Sequence, residues 1–146
     1  MRTGRAERAN EADGPSAAAC DLVFAYGTLM RGFPLHRVLE GRAEYVGSGT
    51  IKARLLDLGT FPAAVPDPHG AVVGELYRLR ETGLWRVLDS AEGRQYHREG
   101  VTVRTADGRE VAAFTYWYVG PLDRAVPIPG GDYRAHAPAR SIHRSS

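Results

Sequence analysis

The sequence has a single cysteine, Cys20, among its 146 residues, so no disulfide can form within the chain. The stretch Ser16–Cys20 resembles a lipoprotein cleavage site, but a secretory signal needs a continuous apolar segment before the cut. Charged residues such as Glu11 and Asp13 occupy that segment, and no apolar run elsewhere is long enough to span a membrane. We therefore expect a cytoplasmic protein without a membrane partner.

The sequence also has little net charge. Its formal net charge is +2, and its arginines are scattered without a basic block, so we expect no nucleic-acid partner. The composition, 43% hydrophobic and 25% charged, is typical of a soluble globular protein, and the length fits one domain with a real core.

Motifs for metal, phosphate or dinucleotide binding are missing as well. The five histidines stand at no metal-ligand spacing with each other or with Cys20. No phosphate-binding loop occurs, and Gly47-Ser48-Gly49 has the glycine spacing of neither a dinucleotide fingerprint nor a nucleophile elbow. We expect no metal and no cofactor.

The polar, aperiodic residues 1–19 predict a flexible N-terminal tail, and we expect one domain over residues 20–134 and a flexible tail over 135–146. From Pro121 onward, four of the nine prolines and the Gly130-Gly131 pair predict mostly irregular structure.

Two short helices are predicted, at Pro34–Glu40 and at Glu81–Ala91, with Thr82 as the candidate N-cap of the second. An Asp107-Gly108 turn predicts a hairpin. The expected strands are Leu22–Tyr26, a long run Gly47–Leu58 within Ala43–Leu58, the edge or loop segment Phe61–Pro66, Ala71–Leu79, His97–Thr105 and Glu110–Val119. The pattern favours an α+β fold with a strongly curved, mostly antiparallel sheet or open barrel.

The first strand runs straight into a candidate binding loop. Its residues are apolar on both faces, which predicts a strand buried on both sides. Gly27 lets the backbone turn tightly or approach a ligand, and Thr28 and Leu29 extend a run of backbone N–H groups that can hold an anion or a polarised carbonyl oxygen. An ordinary glycine turn is the alternative.

Glu92 is the candidate general acid/base. If the second helix extends by one residue, Glu92 stacks four residues after Leu88 on the apolar face, where desolvation would raise its pKa. The alternatives are an exposed C-terminal residue or an ion pair with Arg94 or Arg98.

Glu75 lies between apolar residues of one strand face, and we expect it to be a buried structural acid paired with Arg54 or Arg98. Four tyrosines could line a pocket, although as a set they fit core and rim positions better: Tyr26, Tyr96, Tyr116 and Tyr118.

Taken together, these residues resemble the γ-glutamylcyclotransferase-like family, over residues 22 to about 134. The motifs that carry the resemblance are, in order, Tyr26-Gly27-Thr28-Leu29, Gly74-Glu75-Leu76-Tyr77, Leu88-Asp89-Ser90-Ala91-Glu92-Gly93, Tyr96 with Arg98, Tyr116-Trp117-Tyr118 and Gly130-Gly131-Asp132-Tyr133. The segment between Gly93 and Tyr96 is shorter than in many relatives, which bears on the alignment of Tyr96.

The resemblance implies a small mixed, mostly antiparallel β-barrel and a reaction in which the α-amino group of a γ-glutamyl amine or amide attacks its own γ-carbonyl, releasing 5-oxoproline and an amine. It implies Glu92 as general acid/base and Tyr26–Leu29 as the loop that holds the glutamyl group. We add Tyr96 and Tyr118 as substrate contacts, and the oligomeric state is left open. The alternatives are a non-catalytic barrel that binds a small ligand or a protein, and removal of a γ-glutamyl protecting group from a specialised metabolite.

Overall fold

Residues 21–136 are described by the computed structural model, and they form a barrel with a small sheet beside it. The elements are β1 (Leu22–Ala25), a 3-10 helix (Pro34–Val38), β2 (Ala43–Ile51), β3 (Ala53–Asp57), β4 (Pro62–Pro66), β5 (Val72–Leu79), α1 (Leu84–Glu92), β6 (Tyr96–Thr105), β7 (Glu110–Tyr118) and β8 (Val126–Pro127). No helix among these residues is long and apolar enough to cross a membrane.

The barrel has the strand order β1-β5-β2-β6-β7 and closes where β7 pairs with β1. That closing pair is parallel and joins Val23 to Phe114, whereas the other pairs are antiparallel. The predicted hairpin is confirmed, because β6 and β7 pair continuously and Gly108 takes the positive φ of 90° that its turn requires. The expected mixed, mostly antiparallel barrel is therefore confirmed.

The predicted long run Gly47–Leu58, within Ala43–Leu58, is wrong as a single element. It divides at Lys52 into β2 and β3, which belong to different sheets. The barrel partner β5 begins at Val72, opposite Ile51, so the chain beyond Ile51 has no barrel strand left to pair with. It pairs with β4 instead, in a three-stranded sheet of order β4-β3-β8, where the proline-framed β4 is an edge strand as expected.

Both helices are shorter than predicted at one end. The first is a 3-10 helix that ends at Val38. The second begins at Leu84, and its N-cap is Gly83, without a side-chain cap, so the assignment of Thr82 is wrong. The N–H groups that a Thr82 cap would bind, those of Leu84 and Trp85, already donate to backbone carbonyls.

The core fills the barrel, and β1 is buried on both faces as predicted, with Val23, Phe24 and Ala25 at most 2% exposed. After Pro121 the chain is mostly irregular, but β8 joins the second sheet and a helical turn starts at Tyr133. This turn includes Ala135 and His136, the first residues of the predicted C-terminal tail. The predicted N-terminal tail and residues 137–146 lie outside the described residues, so the tail boundaries stay predictions.

Candidate active site

A cavity of about 270 Å³ opens beside the end of β1, between the loop that follows this strand, the β3–β4 turn and the end of α1. It brings together most of the candidate residues found in the sequence. The described residues that line it are Phe24, Ala25, Tyr26, Gly27, Thr28, Leu29, Leu35, Phe61, Pro62, Ala91, Glu92, Tyr96 and Tyr116.

The Tyr26–Leu29 loop lines this cavity and has backbone donors that no described protein acceptor uses. Its carbonyl groups are used inside the protein, since Gly27 accepts from the N–H of Met30 and Thr28 from that of Leu35, both at 3.0 Å. Within residues 21–136, the N–H groups of Gly27, Thr28 and Leu29 donate to no protein acceptor. Consecutive N–H groups of this kind are suited to a carboxylate or a developing oxyanion.

Glu92 supplies the negative charge of the cavity. The helix does extend to this residue, four positions after the fully buried Leu88, and Gly93 ends it with a φ of 95°. Burial raises the pKa of the Glu92 carboxyl from its ordinary value of 4.5 to about 7. A carboxyl that titrates near neutral pH can both accept and donate a proton there.

The predicted alternative of an ion pair between Glu92 and Arg98 is wrong. Arg98 binds Asp89 instead, with its Nε 2.9 Å from Oδ1 and its Nη2 3.2 Å from Oδ2. Arg94 is exposed and forms no ion pair with any described carboxylate. The Glu92 carboxylate accordingly has no cationic partner among residues 21–136.

Three tyrosine hydroxyls in the cavity lining donate their hydrogen to protein acceptors. The Tyr26 hydroxyl donates to the Tyr116 carbonyl at 2.5 Å, the Tyr96 hydroxyl to the Pro62 carbonyl at 2.7 Å, and the Tyr116 hydroxyl to Asp89 Oδ1 at 2.6 Å. Burial, above all, raises the pKa of each phenol far above its ordinary value, so all three keep their protons. Each oxygen can therefore only accept a further hydrogen bond.

The cavity thus contains both hydrogen-bond donors and acceptors. The donors are the backbone N–H groups of Gly27–Leu29. The acceptors are the Glu92 carboxylate and the hydroxyl oxygens of Tyr26, Tyr96 and Tyr116. Such a set of groups suits a molecule that carries both a negative group and an ammonium group.

Tyr118 is not among the described residues that line this cavity, so its assignment as a substrate contact stays a prediction. Its hydroxyl donates to the Pro121 carbonyl at 3.0 Å, and its ring packs edge-on against Tyr96 with the centroids 5.4 Å apart. Tyr118 therefore packs against the ring of Tyr96, which lines the cavity. Tyr116, considered in the sequence only as one of four pocket tyrosines, lines the cavity instead.

Glu75 is a buried acid with an arginine partner, as predicted, but that arginine is Arg134 and neither of the two examples, Arg54 and Arg98. It is 8% exposed, and its Oε2 accepts from Arg134 Nη2 at 2.8 Å. Its Oε1 accepts from the Arg31 N–H at 3.0 Å and the Tyr77 hydroxyl at 2.7 Å. The carboxylate therefore ties β5 to the segment after the binding loop and to the C-terminal turn.

The described residues contain no group of three or more His, Cys, Asp or Glu side chains that could hold a metal ion. The expectation of a site without metal or cofactor stays a prediction.

Comparison with known proteins agrees with this architecture. Residues 23–135 match the family model described as gamma-glutamyl cyclotransferase, AIG2-like. Among curated relatives, a protein of Methanocaldococcus jannaschii with a provisional gamma-glutamylcyclotransferase name is 30% identical over 78% of this chain and 96% of its own. The gamma-glutamylaminecyclotransferase of Homo sapiens is 35% identical over 63% of this chain and 67% of its own.

Solved structures show the same fold. A protein from Pyrococcus horikoshii superimposes with a TM-score of 0.64 at 27% identity, over 85% of this chain and 96% of that one. An AIG2-like protein from Mus musculus superimposes with a TM-score of 0.62 at 26% identity, over 71% of this chain and 81% of that one. By its sequence, its barrel and the extent of these matches, the chain belongs to the AIG2-like gamma-glutamyl cyclotransferase family.

Proposed function

We propose that this protein is an enzyme that converts a γ-glutamyl amine into 5-oxoproline and the free amine. The observation that carries the proposal is the placement of Glu92, with its pKa near 7, in one cavity with the unpaired N–H groups of Gly27–Leu29. Family membership and the gamma-glutamylaminecyclotransferases among the relatives support this substrate class.

The donors and acceptors that line the cavity orient the substrate. The N–H groups of the Tyr26–Leu29 loop bind the α-carboxylate or the oxygen of the γ-carbonyl, where negative charge develops during attack. The α-ammonium group lies at the acceptors, which are Glu92 and the oxygens of Tyr26, Tyr96 and Tyr116. Because the attacking and attacked groups belong to one molecule, holding it in a folded shape supplies much of the acceleration.

Glu92 transfers the protons. It removes one from the α-ammonium group, and the amine then forms a bond to the γ-carbon, giving a tetrahedral oxyanion. Glu92 returns that proton to the departing nitrogen and then takes the excess proton from the ring nitrogen, after which the bond between the departing nitrogen and the γ-carbon breaks as the carbonyl re-forms. Glu92 passes this second proton to the released amine, so Glu92 ends as the carboxylate with which it began.

The rim of the cavity favours an amine that carries no carboxylate. Phe61, Leu35 and Pro62 line it with apolar surface, and Phe61 is 53% exposed. None of the described lining residues carries a positive charge that would neutralise the carboxylate of an amino-acid leaving group. This is the reason to prefer γ-glutamyl amines over γ-glutamyl amino acids.

The test is a panel of paired substrates, such as γ-glutamyl-butylamine and γ-glutamyl-norvaline, together with glutathione. Release of 5-oxoproline is followed by mass spectrometry with the native protein. We expect release, with kcat/KM at least about tenfold higher for the amine member of each pair. Binding of a γ-glutamyl compound without release at any pH would contradict the proposal and favour a non-catalytic barrel.

A further inference from the structure

The β3–β4 turn brings Phe61 to the rim of the cavity, and one carboxylate organises this turn. Asp57, the last residue of β3, accepts through Oδ1 from the N–H group of Gly59 at 2.7 Å. The turn closes where the Leu58 N–H donates to the Phe61 carbonyl at 2.9 Å. Because the Phe61 side chain is 53% exposed, its position depends on the conformation of the turn.

The Asp57 carboxylate is itself held by a histidine. Nε2 of His136 lies 2.8 Å from Oδ2 of Asp57. An ionised carboxylate only accepts hydrogen bonds, so Nε2 carries the hydrogen and donates it. The Asp57 side chain is 14% exposed, and water competes little for a bond in such a place. The two residues are 79 positions apart, so this bond joins the C-terminal part of the chain to the second sheet.

The helical turn that carries His136, residues 133–136, also packs against the other side of the rim. The His136 ring lies against the ring of Tyr133, with centroids 6.3 Å apart, and Tyr133 is buried. The Tyr133 ring in turn packs against that of Phe33 at 5.3 Å. Phe33 is the N-cap of the 3-10 helix that brings Leu35 to the cavity lining. One helical turn therefore connects the two segments that supply the apolar rim.

We propose that His136 is a positioning residue that fixes the β3–β4 turn through Asp57, and so sets the place of Phe61 against the leaving amine. Its effect on substrates rests on the proposed function, whereas its effect on the turn is a property of the unliganded protein. Pro62 is held separately, by its pairing with Asp57 in the sheet and by the Tyr96 hydroxyl. Loss of the His136 bond should therefore move Phe61 and leave the rest of the cavity in place.

The test compares His136→Ala, which removes the donor, with His136→Gln, whose side-chain amide can donate from the place of Nε2. His69→Ala is the matched control, because His69 is exposed and lies outside the cavity lining. The first measurement is amide hydrogen exchange of Leu58 and Gly59 in the unliganded protein. We expect both rates to rise about fivefold in His136→Ala, the factor for one lost hydrogen bond, and to stay native in the other two variants.

The second measurement is a pair of substrates that differ in reach. The alkyl chain of γ-glutamyl-butylamine extends toward the rim, whereas the single methyl group of γ-glutamyl-methylamine is too short to fill it. Loss of a contact that the substrate and the transition state share raises KM and leaves kcat unchanged. In His136→Ala we expect KM for the butylamine to rise at least about fourfold, the effect of exposing one methylene group, at native kcat. Both constants should stay native for the methylamine, and His136→Gln should restore the butylamine KM.

Native exchange rates of Leu58 and Gly59 in His136→Ala would overturn the proposal. Equal rises in KM for the two substrates would also overturn it, since a general loss of structure would then be the cause. The same holds if His136→Gln behaves like His136→Ala, because the donor would then not be what holds the turn. His136→Leu, which keeps an apolar contact with Tyr133, replaces the alanine variant if that one fails to fold. Hydrogen exchange needs no turnover, so failure of this proposal is separate from failure to release 5-oxoproline.

Discussion

Gly27 and Pro62 approach so closely that a Cβ atom on Gly27 would lie 2.4 Å from Cγ of Pro62. Gly27→Ala must therefore displace Pro62, whose carbonyl accepts from the Tyr96 hydroxyl, and both residues line the cavity. Since misplacement by about 1 Å can cost about 10²-fold, we expect kcat/KM for the best substrate to fall at least tenfold.

The control for this substitution is Gly83→Ala, because a Cβ atom on Gly83 meets nothing within 4 Å and its φ of −63° suits alanine. Steady-state kinetics of both variants provide the measurement. Native kcat/KM in Gly27→Ala would show that the close contact does not shape the site.

The raised pKa of Glu92 has a cost in stability that depends on pH. Its carboxyl ionises near pH 7 when folded, against an ordinary value of 4.5. Well below pH 4.5 the Glu92 carboxyl is protonated in both the folded and the unfolded protein. As the pH rises toward 7, the carboxyl of the unfolded protein loses its proton first, which favours unfolding. Above pH 7 this group therefore reduces the free energy of unfolding by up to about 3 kcal/mol. Gln cannot ionise.

We therefore expect Glu92→Gln to match the native protein in stability near pH 4 and to exceed it above pH 7. Urea unfolding of both proteins at several pH values measures the difference. A difference that does not change with pH would mean that Glu92 titrates at its ordinary pKa.

Glu75 is predicted to contribute to stability through its three donors, Arg31, Tyr77 and Arg134. Glu75→Gln keeps one acceptor but removes the charge and turns an amide toward a donor, so we expect a loss of about 1–3 kcal/mol in the free energy of unfolding. The matched change Glu110→Gln, at an exposed pair with Arg104, should cost less than about 1 kcal/mol. Equal losses in urea unfolding would argue against a special role for Glu75.

The structural features that could be predicted from the sequence depend on short-range patterns. The hairpin follows from the Asp107-Gly108 turn, and the position of Glu92 follows from its helical spacing to Leu88. The pairing of Glu75 with Arg134 could not be read in this way, because it joins residues 59 positions apart. Such contacts are created when strands distant in the chain become neighbours.

The same reason explains why Tyr116 lines the cavity and Tyr118 does not. Strand alternation places both on one face of β7, but only the closed barrel and the position of α1 decide which of them reaches the cavity. Likewise, the preference of Arg98 for Asp89 over Glu92 depends on how α1 lies against β6.

The apolar rim predicts how leaving-group preference can be changed. Phe61→Arg places a positive charge at the mouth of the cavity, so we expect it to raise kcat/KM for γ-glutamyl amino acids relative to the matched γ-glutamyl amines by about tenfold. Val119→Arg, at a position that is 61% exposed and outside the cavity lining, is the control for added charge. The same ratio in both variants would mean that Phe61 does not contact the leaving group.

The central claim is that Glu92 is the general acid/base of a cyclisation that releases 5-oxoproline. The most direct measurement is 5-oxoproline release from a γ-glutamyl amine by native protein and Glu92→Gln, with Glu81→Gln as the exposed-carboxylate control. General acid/base groups contribute about 10²–10⁴-fold, so we predict a loss of that size in Glu92→Gln, with native melting behaviour at pH 4 and native rates in Glu81→Gln. Full activity in folded Glu92→Gln would contradict the account.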